Sequence, residues 1–137
     1  MRVLLLEDDP VDALALQREL GARYEIRTVS TLAEGLHALS HPGWQPDVVV
    51  TDLNLPDSEG ARTLASLQAA ACDMPIIVST GGLSEQLRRQ LDALGAAHLH
   101  DKNSGLSLLK AVLQQHQLFH LMVQTVSGCH SLSRLLK

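Results

Sequence analysis

The chain is short of cysteine and has no cluster of positive charge, and each shortage closes off a class of function. Two cysteines among 137 residues, Cys72 and Cys129, stand far apart with no Cys-x-x-Cys partner. They imply neither a disulfide framework nor a zinc site, and read as inert thiols in a reducing compartment. Lysine and arginine number 11 against 15 acids, for a formal net charge of −4, and they form no run. A surface for nucleic acid or anionic lipid needs clustered cations, so neither partner is expected. The apolar start, Val3-Leu4-Leu5-Leu6, gives way at once to Glu7-Asp8-Asp9. It is too short for a signal peptide, and no later stretch approaches a membrane span. Internal repeats and low-complexity segments are missing too. The expectation is a cytoplasmic protein that uses no membrane.

What is present is enough apolar residue, 45% of the chain, for one domain with a real core. Its centre of gravity is Val48-Val49-Val50-Thr51-Asp52. Four β-branched residues in a row do not suit a strand with one wet face, so this segment belongs in a parallel sheet covered on both sides. Ligands and chemistry collect beyond the carboxyl ends of such strands, and Asp52 stands at one, followed by a loop that Pro56 and Gly60 mark as non-helical.

The rest of the chain alternates around it. Val3–Leu6 has strand length; Asp9 can cap a following helix, Pro10 suits its first turn, and Gly21 can end it. A weaker strand is expected over Ile26–Val29. Thr31-Leu32-Ala33-Glu34 has the form of a capping box for a helix that His41-Pro42-Gly43 terminates. Ala61, Leu64 and Leu67 suggest a third helix, Ile76–Thr80 a fourth strand broken by Gly81-Gly82, and Leu87, Leu91 and Leu94 a fourth helix closed by Gly95. Ala97–His100 is the expected last strand, and a final helix begins near Ser104. Leu108, Val112, Phe119, Met122 and Val126 form an apolar stripe along it, as core packing or as an outward contact, before a break at Ser127-Gly128 and further leucines at 132, 135 and 136. Five strands alternating with helices predict βαβ units with right-handed crossovers in a doubly wound α/β domain.

Parallel strands would bring Glu7 and Asp8, Asp52, Thr80 and Lys102 to one end of the sheet. Crowded carboxylates repel unless a cation is present, and a hard divalent ion with oxygen ligands, Mg²⁺ rather than zinc, resolves that conflict. A lysine and a hydroxyl beside the same aspartate would stabilise further negative charge, as a phosphoryl group brings. His98-Leu99-His100 has alternate residues on one face, as a metal site might use, but no further His or Cys cluster completes it, and tolerated strand histidines are the simpler reading.

Glu7-Asp8, Asp52, Thr80 and Lys102, with Leu-x-Leu-Pro-Asp-x-x-Gly after Asp52 and Pro-Ile-Ile-x-x-Thr-Gly around Thr80, resemble the response-regulator receiver domains of two-component signalling. The resemblance covers roughly residues 1–118, leaving 119–137 as a helical extension or linker. It implies the chemotaxis-type, flavodoxin-like fold: a five-stranded parallel sheet in the order 2-1-3-4-5 with helices on both faces, here with the last helix extended. It implies a phosphoacceptor switch, not a conventional enzyme, in which Asp52 takes a phosphoryl group from a sensor histidine kinase or phosphotransfer protein. Mg²⁺ would be held by Asp8, Asp52 and the backbone carbonyl of Asn54, with Glu7 acting through water. Thr80, Lys102 and Gly81 would be the phosphoryl-binding and switch positions, and the surface around the fourth helix, fifth strand and fifth helix would change. Asn54 and Gly82 occupy positions where the family admits water, which implies a short-lived phosphorylated state. Two positions depart from the family pattern. Leu99 replaces the usual aromatic of the fifth strand and is a weak switch position, and Lys102-Asn103 replaces Lys-Pro, for which a trans bond is expected.

The alternative is a receiver-like protein-interaction module that works without phosphate, motivated by Leu99 and Asn103. Two enzyme readings fit poorly. A flavin carrier needs hydroxyl and Gly donors where this chain has three acids, and an aspartyl phosphatase needs Asp-x-Asp where it has Glu7-Asp8-Asp9. No output-domain motif fits after residue 118. The chain is then either a stand-alone receiver or the front piece of a larger protein, and the apolar periodicity of the last helix favours a C-terminal output domain or a homodimer through that helix.

Overall fold

The structure, a computed structural model, describes residues 1–71 and 73–135, with side chains through 119 and at 121 and 122. Cys72 and the side chains of Cys129, Val126 and the leucines beyond it lie outside the described residues. Strands β1 (Arg2–Leu6), β2 (Glu25–Val29), β3 (Val48–Thr51), β4 (Ile76–Thr80) and β5 (His98–Asp101) pair in parallel in the order β2-β1-β3-β4-β5. This is the doubly wound, flavodoxin-like topology that the sequence implies. Helices α1 (Pro10–Leu20), α2 (Leu32–Ser40), α3 (Ala61–Ala70), α4 (Glu85–Ala93) and α5 (Leu106–Leu135) complete it.

The two faces follow from strand alternation. Leu4, Leu6, Val49 and Val78 point to one side and pack with Leu39, Leu64, Leu67 and Leu91 of α2, α3 and α4. Val3, Leu5, Val48, Val50 and Ile77 point to the other and pack with Leu16 of α1 and Leu109 and Leu113 of α5. All four residues of β3 are fully buried, as a run of β-branched side chains at the centre of a covered sheet requires.

Local chemistry sets the helix starts. Asp9 Oδ1 accepts the N–H of Val11, and Pro10 opens α1. Thr31 Oγ1 accepts the N–H of Glu34 at 3.1 Å, but Glu34 Oε1 meets the Thr31 hydroxyl instead of its backbone N–H. The first N–H groups of α2 are taken by another residue: Asp57, in the loop after β3, accepts from Leu32 and Ala33 at 2.8 and 2.9 Å. That loop is thereby tied to the neighbouring helix.

Three expectations are corrected toward the C-terminus. The last strand runs His98–Asp101, one residue later than expected, because Asp101 pairs in register with Thr80. Lys102–Ser104 then forms a 3-10 turn capped by Asp101, whose Oδ1 accepts the Asn103 N–H at 2.9 Å. Gly105, at φ 85°, makes the left-handed step into α5, which therefore starts at Leu106 and not Ser104. Of the two uses the sequence leaves open for the α5 stripe, the outward one fits Leu108, Phe119 and Met122, which are 50%, 66% and 66% exposed, while the buried face of the helix is Leu109 and Leu113, both fully covered. Among the described residues of that stripe, only Val112 packs at the edge of the core. The helix also continues to Leu135 across Ser127-Gly128, where a break is expected.

Candidate functional site

Three adjacent strands deliver acids and a hydroxyl to one end of the sheet, and the turn after β5 delivers a cation. Asp52 follows β3 directly, its backbone N–H bonded to Leu6 O at 2.9 Å. Its carboxylate is used on both oxygens. Oδ1 accepts from Thr80 Oγ1 at 3.0 Å and from the Asn54 N–H at 3.2 Å. Oδ2 accepts from Lys102 Nζ at 2.9 Å. Glu7, the first residue after β1, is buried; its Oε2 lies 2.7 Å from Lys102 Nζ and its Oε1 accepts the Asp9 N–H at 3.1 Å. Asp8, beside it, is exposed. Thr80 ends β4 and is 1% exposed, so its hydroxyl faces the aspartate inside the site.

Carboxylate oxygens of Glu7, Asp8 and Asp52 all lie within 4.8 Å of one another. Oxygen donors alone, at that spacing and partly open to water, suit a hard divalent cation of the Mg²⁺ type. Burial pushes the Glu7 carboxyl above the usual range, against the opposing pull of Lys102. Burial works against the Lys102 ammonium as well, but its hydrogen bonds to Glu7, Asp52 and Asp12 outweigh it and hold the lysine above its ordinary value. Lys102 is therefore a permanent cation in a nest of carboxylates.

The expected residues thus converge: Glu7, Asp8, Asp52, Thr80 and Lys102 meet, and Asn54 contributes its N–H. Gly81 follows Thr80 at the open end of β4, where no described atom lies within 4 Å of the place a Cβ would take. Leu99 packs with the core on the α3 and α4 side of the sheet. The peptide bonds of the described residues are all trans, Lys102-Asn103 among them. Asp101, the acid next to Lys102, caps the turn and leaves the ammonium to others. One member is absent from the sequence reading. Asp12, in the first turn of α1, accepts from Lys102 Nζ at 3.0 Å. An acid there reads as ordinary helix-dipole complementation, and only the fold places it over the lysine.

His98 and His100 do not join the site. They share the α1 and α5 face with Ile77, and the cluster Glu7-Asp8-Asp52 is the only group with metal-ligand spacing among the described residues. No described helix is long and apolar enough to cross a membrane.

Comparison with known proteins agrees with this geometry. Residues 3–114 match the family described as response regulator receiver domain. The chain is 38% identical over 93 residues to the transcriptional regulatory protein KdpE of Mycobacterium tuberculosis, covering 66% of this chain and 40% of that protein. It is 27% identical over 115 residues to the sensor histidine kinase RcsC of Salmonella typhimurium, covering 82% of this chain and 12% of that protein. The chain therefore spans less than half the length of either relative. Among solved structures, the non-phosphorylated HemR receiver domain from Leptospira biflexa superposes with a TM-score of 0.73 at 29% identity, over 84% of this chain and 92% of that one.

Proposed function

Because the chain belongs to the response-regulator receiver family, the phosphoacceptor switches of two-component signalling, we propose that Asp52 is its phosphorylation site and that a histidine kinase or phosphotransfer protein is the donor. The observation that carries this reading is the carboxylate of Asp52, nearly buried at 9% exposure and held between Thr80 and Lys102. Both donors reach the carboxylate at the end of β3, where a phosphoryl group on Asp52 would lie within their range.

In the proposed reaction an Asp52 carboxylate oxygen attacks the phosphorus of a phosphohistidine. The P–N bond breaks as the P–O bond forms, the imidazole leaves with the electron pair, and Asp52 becomes an acyl phosphate. Asp8, Asp52 and the Asn54 carbonyl would hold Mg²⁺, with Glu7 through water, and the ion would neutralise charge that builds on the phosphoryl oxygens. The chain's own residues supply the rest. Lys102 turns to a phosphoryl oxygen, Thr80 donates to another, and the backbone at Gly81 follows Thr80. Asn54 and Gly82 leave room for water, which supports a short-lived phosphorylated state. Leu99 beside Thr80's strand makes a weak relay to the surface of α4, β5 and α5. We place the receiver at residues 1–118 and the helical extension at 119–137. Leu118, Phe119, Leu121 and Met122 are exposed there, which supports a contact with an output domain or a second copy.

The test is incubation with acetyl phosphate and Mg²⁺, read by intact-protein mass. Wild type should gain one phosphoryl group and Asp52→Asn none. If wild type gains nothing, a phosphate-independent interaction module, the alternative that Leu99 and Asn103 raise, is the better reading.

A further inference from the structure

Asp12 has no part in the mechanism above, yet it takes one third of the lysine's hydrogen-bonding capacity. An ammonium has three N–H bonds, and Lys102 spends them on Glu7 at 2.7 Å, Asp52 at 2.9 Å and Asp12 at 3.0 Å. None is left for an incoming phosphoryl oxygen, so a contact to phosphate must displace one of the three. The candidates are unequal. The Glu7 side chain is 5% exposed, and removing its cation would leave a buried charge unpaired. Asp52 is the reacting residue, and until the P–O bond forms its carboxylate keeps its hold on the ammonium, so it frees no N–H for the arriving group. Asp12 is 45% exposed and stands in the first turn of α1, where water and the positive helix end both stabilise the carboxylate once the ammonium leaves.

We propose that Asp12 is a positioning residue that tethers Lys102 in the resting site and is the partner released when the lysine turns to the phosphoryl oxygens. It acts on the lysine alone, and so sets how readily the site accepts a phosphoryl group without touching the reacting atoms. This inference rests on the phosphoacceptor reading above.

Two measurements test it. In EDTA, with no phosphoryl donor, side-chain NMR follows hydrogen exchange of the Lys102 ammonium; Asp12→Asn should speed it several-fold, and Asp12→Glu should hold it near wild type. With Mg²⁺ and subsaturating acetyl phosphate, Asp12→Asn should be phosphorylated roughly two- to fivefold faster than wild type, the ratio expected for loss of an ion pair open to solvent. The ratio should shrink toward one at about 1 M salt, where charges are screened within ~3 Å. Phosphorylation of Asp12→Asn at the wild-type rate or slower would overturn the proposal, as would unchanged Lys102 exchange. A wild-type protein that accepts no phosphoryl group would sink the function proposed above, while the Lys102 exchange would still decide whether the tether exists.

Discussion

Single residues in this protein are held in place by their environment far more than by their type, and His100 shows it. The ring is fully buried beneath the α5 side of β5, and neither nitrogen has a hydrogen-bond partner among the described residues. Burial pushes its pKa below the ordinary 6.5, and the neighbouring His98 pushes the same way, against a smaller opposing effect from Asp101. His98 is lowered as well, by burial, His116 and Arg88. The folded chain therefore keeps these imidazoles neutral at pH values where the unfolded chain has protonated them. Below about 6.5 the unfolded state binds more protons, so stability falls as pH falls through that value toward the lower folded pKa. Urea unfolding of wild type between pH 7 and 5 should show that decline, and His100→Leu should flatten it. An equal slope in both proteins would show that His100 is not its source.

Elements were legible in proportion to how much of their pattern is apolar. β1, β3 and β4 are continuous hydrophobic runs, and their ends fell where the sequence put them, which is why Glu7, Asp52 and Thr80 could be named in advance. β5, His-Leu-His-Asp, has no such run, and its register is fixed only by pairing with β4. Asp57 was legible only as part of a loop motif, yet it governs the start of α2. Hydrogen bonds from Leu32 and Ala33 hold its carboxyl below the usual range, so the stability it lends is present above about 3.8 and is lost as pH falls through its folded value. Amide exchange at Leu32 and Ala33 should accelerate in Asp57→Ala, while the Glu34 amide, which bonds to Thr31, should stay protected. Uniform acceleration along α2 would instead mean that the whole helix has loosened.

At the scale of the whole molecule, α5 is where sequence and structure part. A leucine-rich helix offers more than one apolar stripe, and spacing alone cannot say which of them meets the sheet. The fold selects Leu109 and Leu113 and leaves Phe119 outside. Leu113→Ala should cost about 2–5 kcal/mol in chemical denaturation, as for other fully buried leucines, whereas Phe119→Ala should change it by less than about 0.5 kcal/mol. The reverse order would favour core packing, the other use the sequence leaves open for that stripe. Asp12 escaped notice for a related reason: its importance depends on the docking of α1 against the turn after β5, a contact across 90 residues.

The pocket is assembled from positions 7, 52, 80 and 102, and its single cation comes last. A ribosome would therefore finish Asp52, its hydroxyl partner Thr80 and the other acids well before it supplied their counter-charge. Until residue 102 has emerged and β5 has docked, the chain holds a repelling group of acids with no lysine among them. The charge balance of the pocket is therefore struck only once the chain has folded to its final strand.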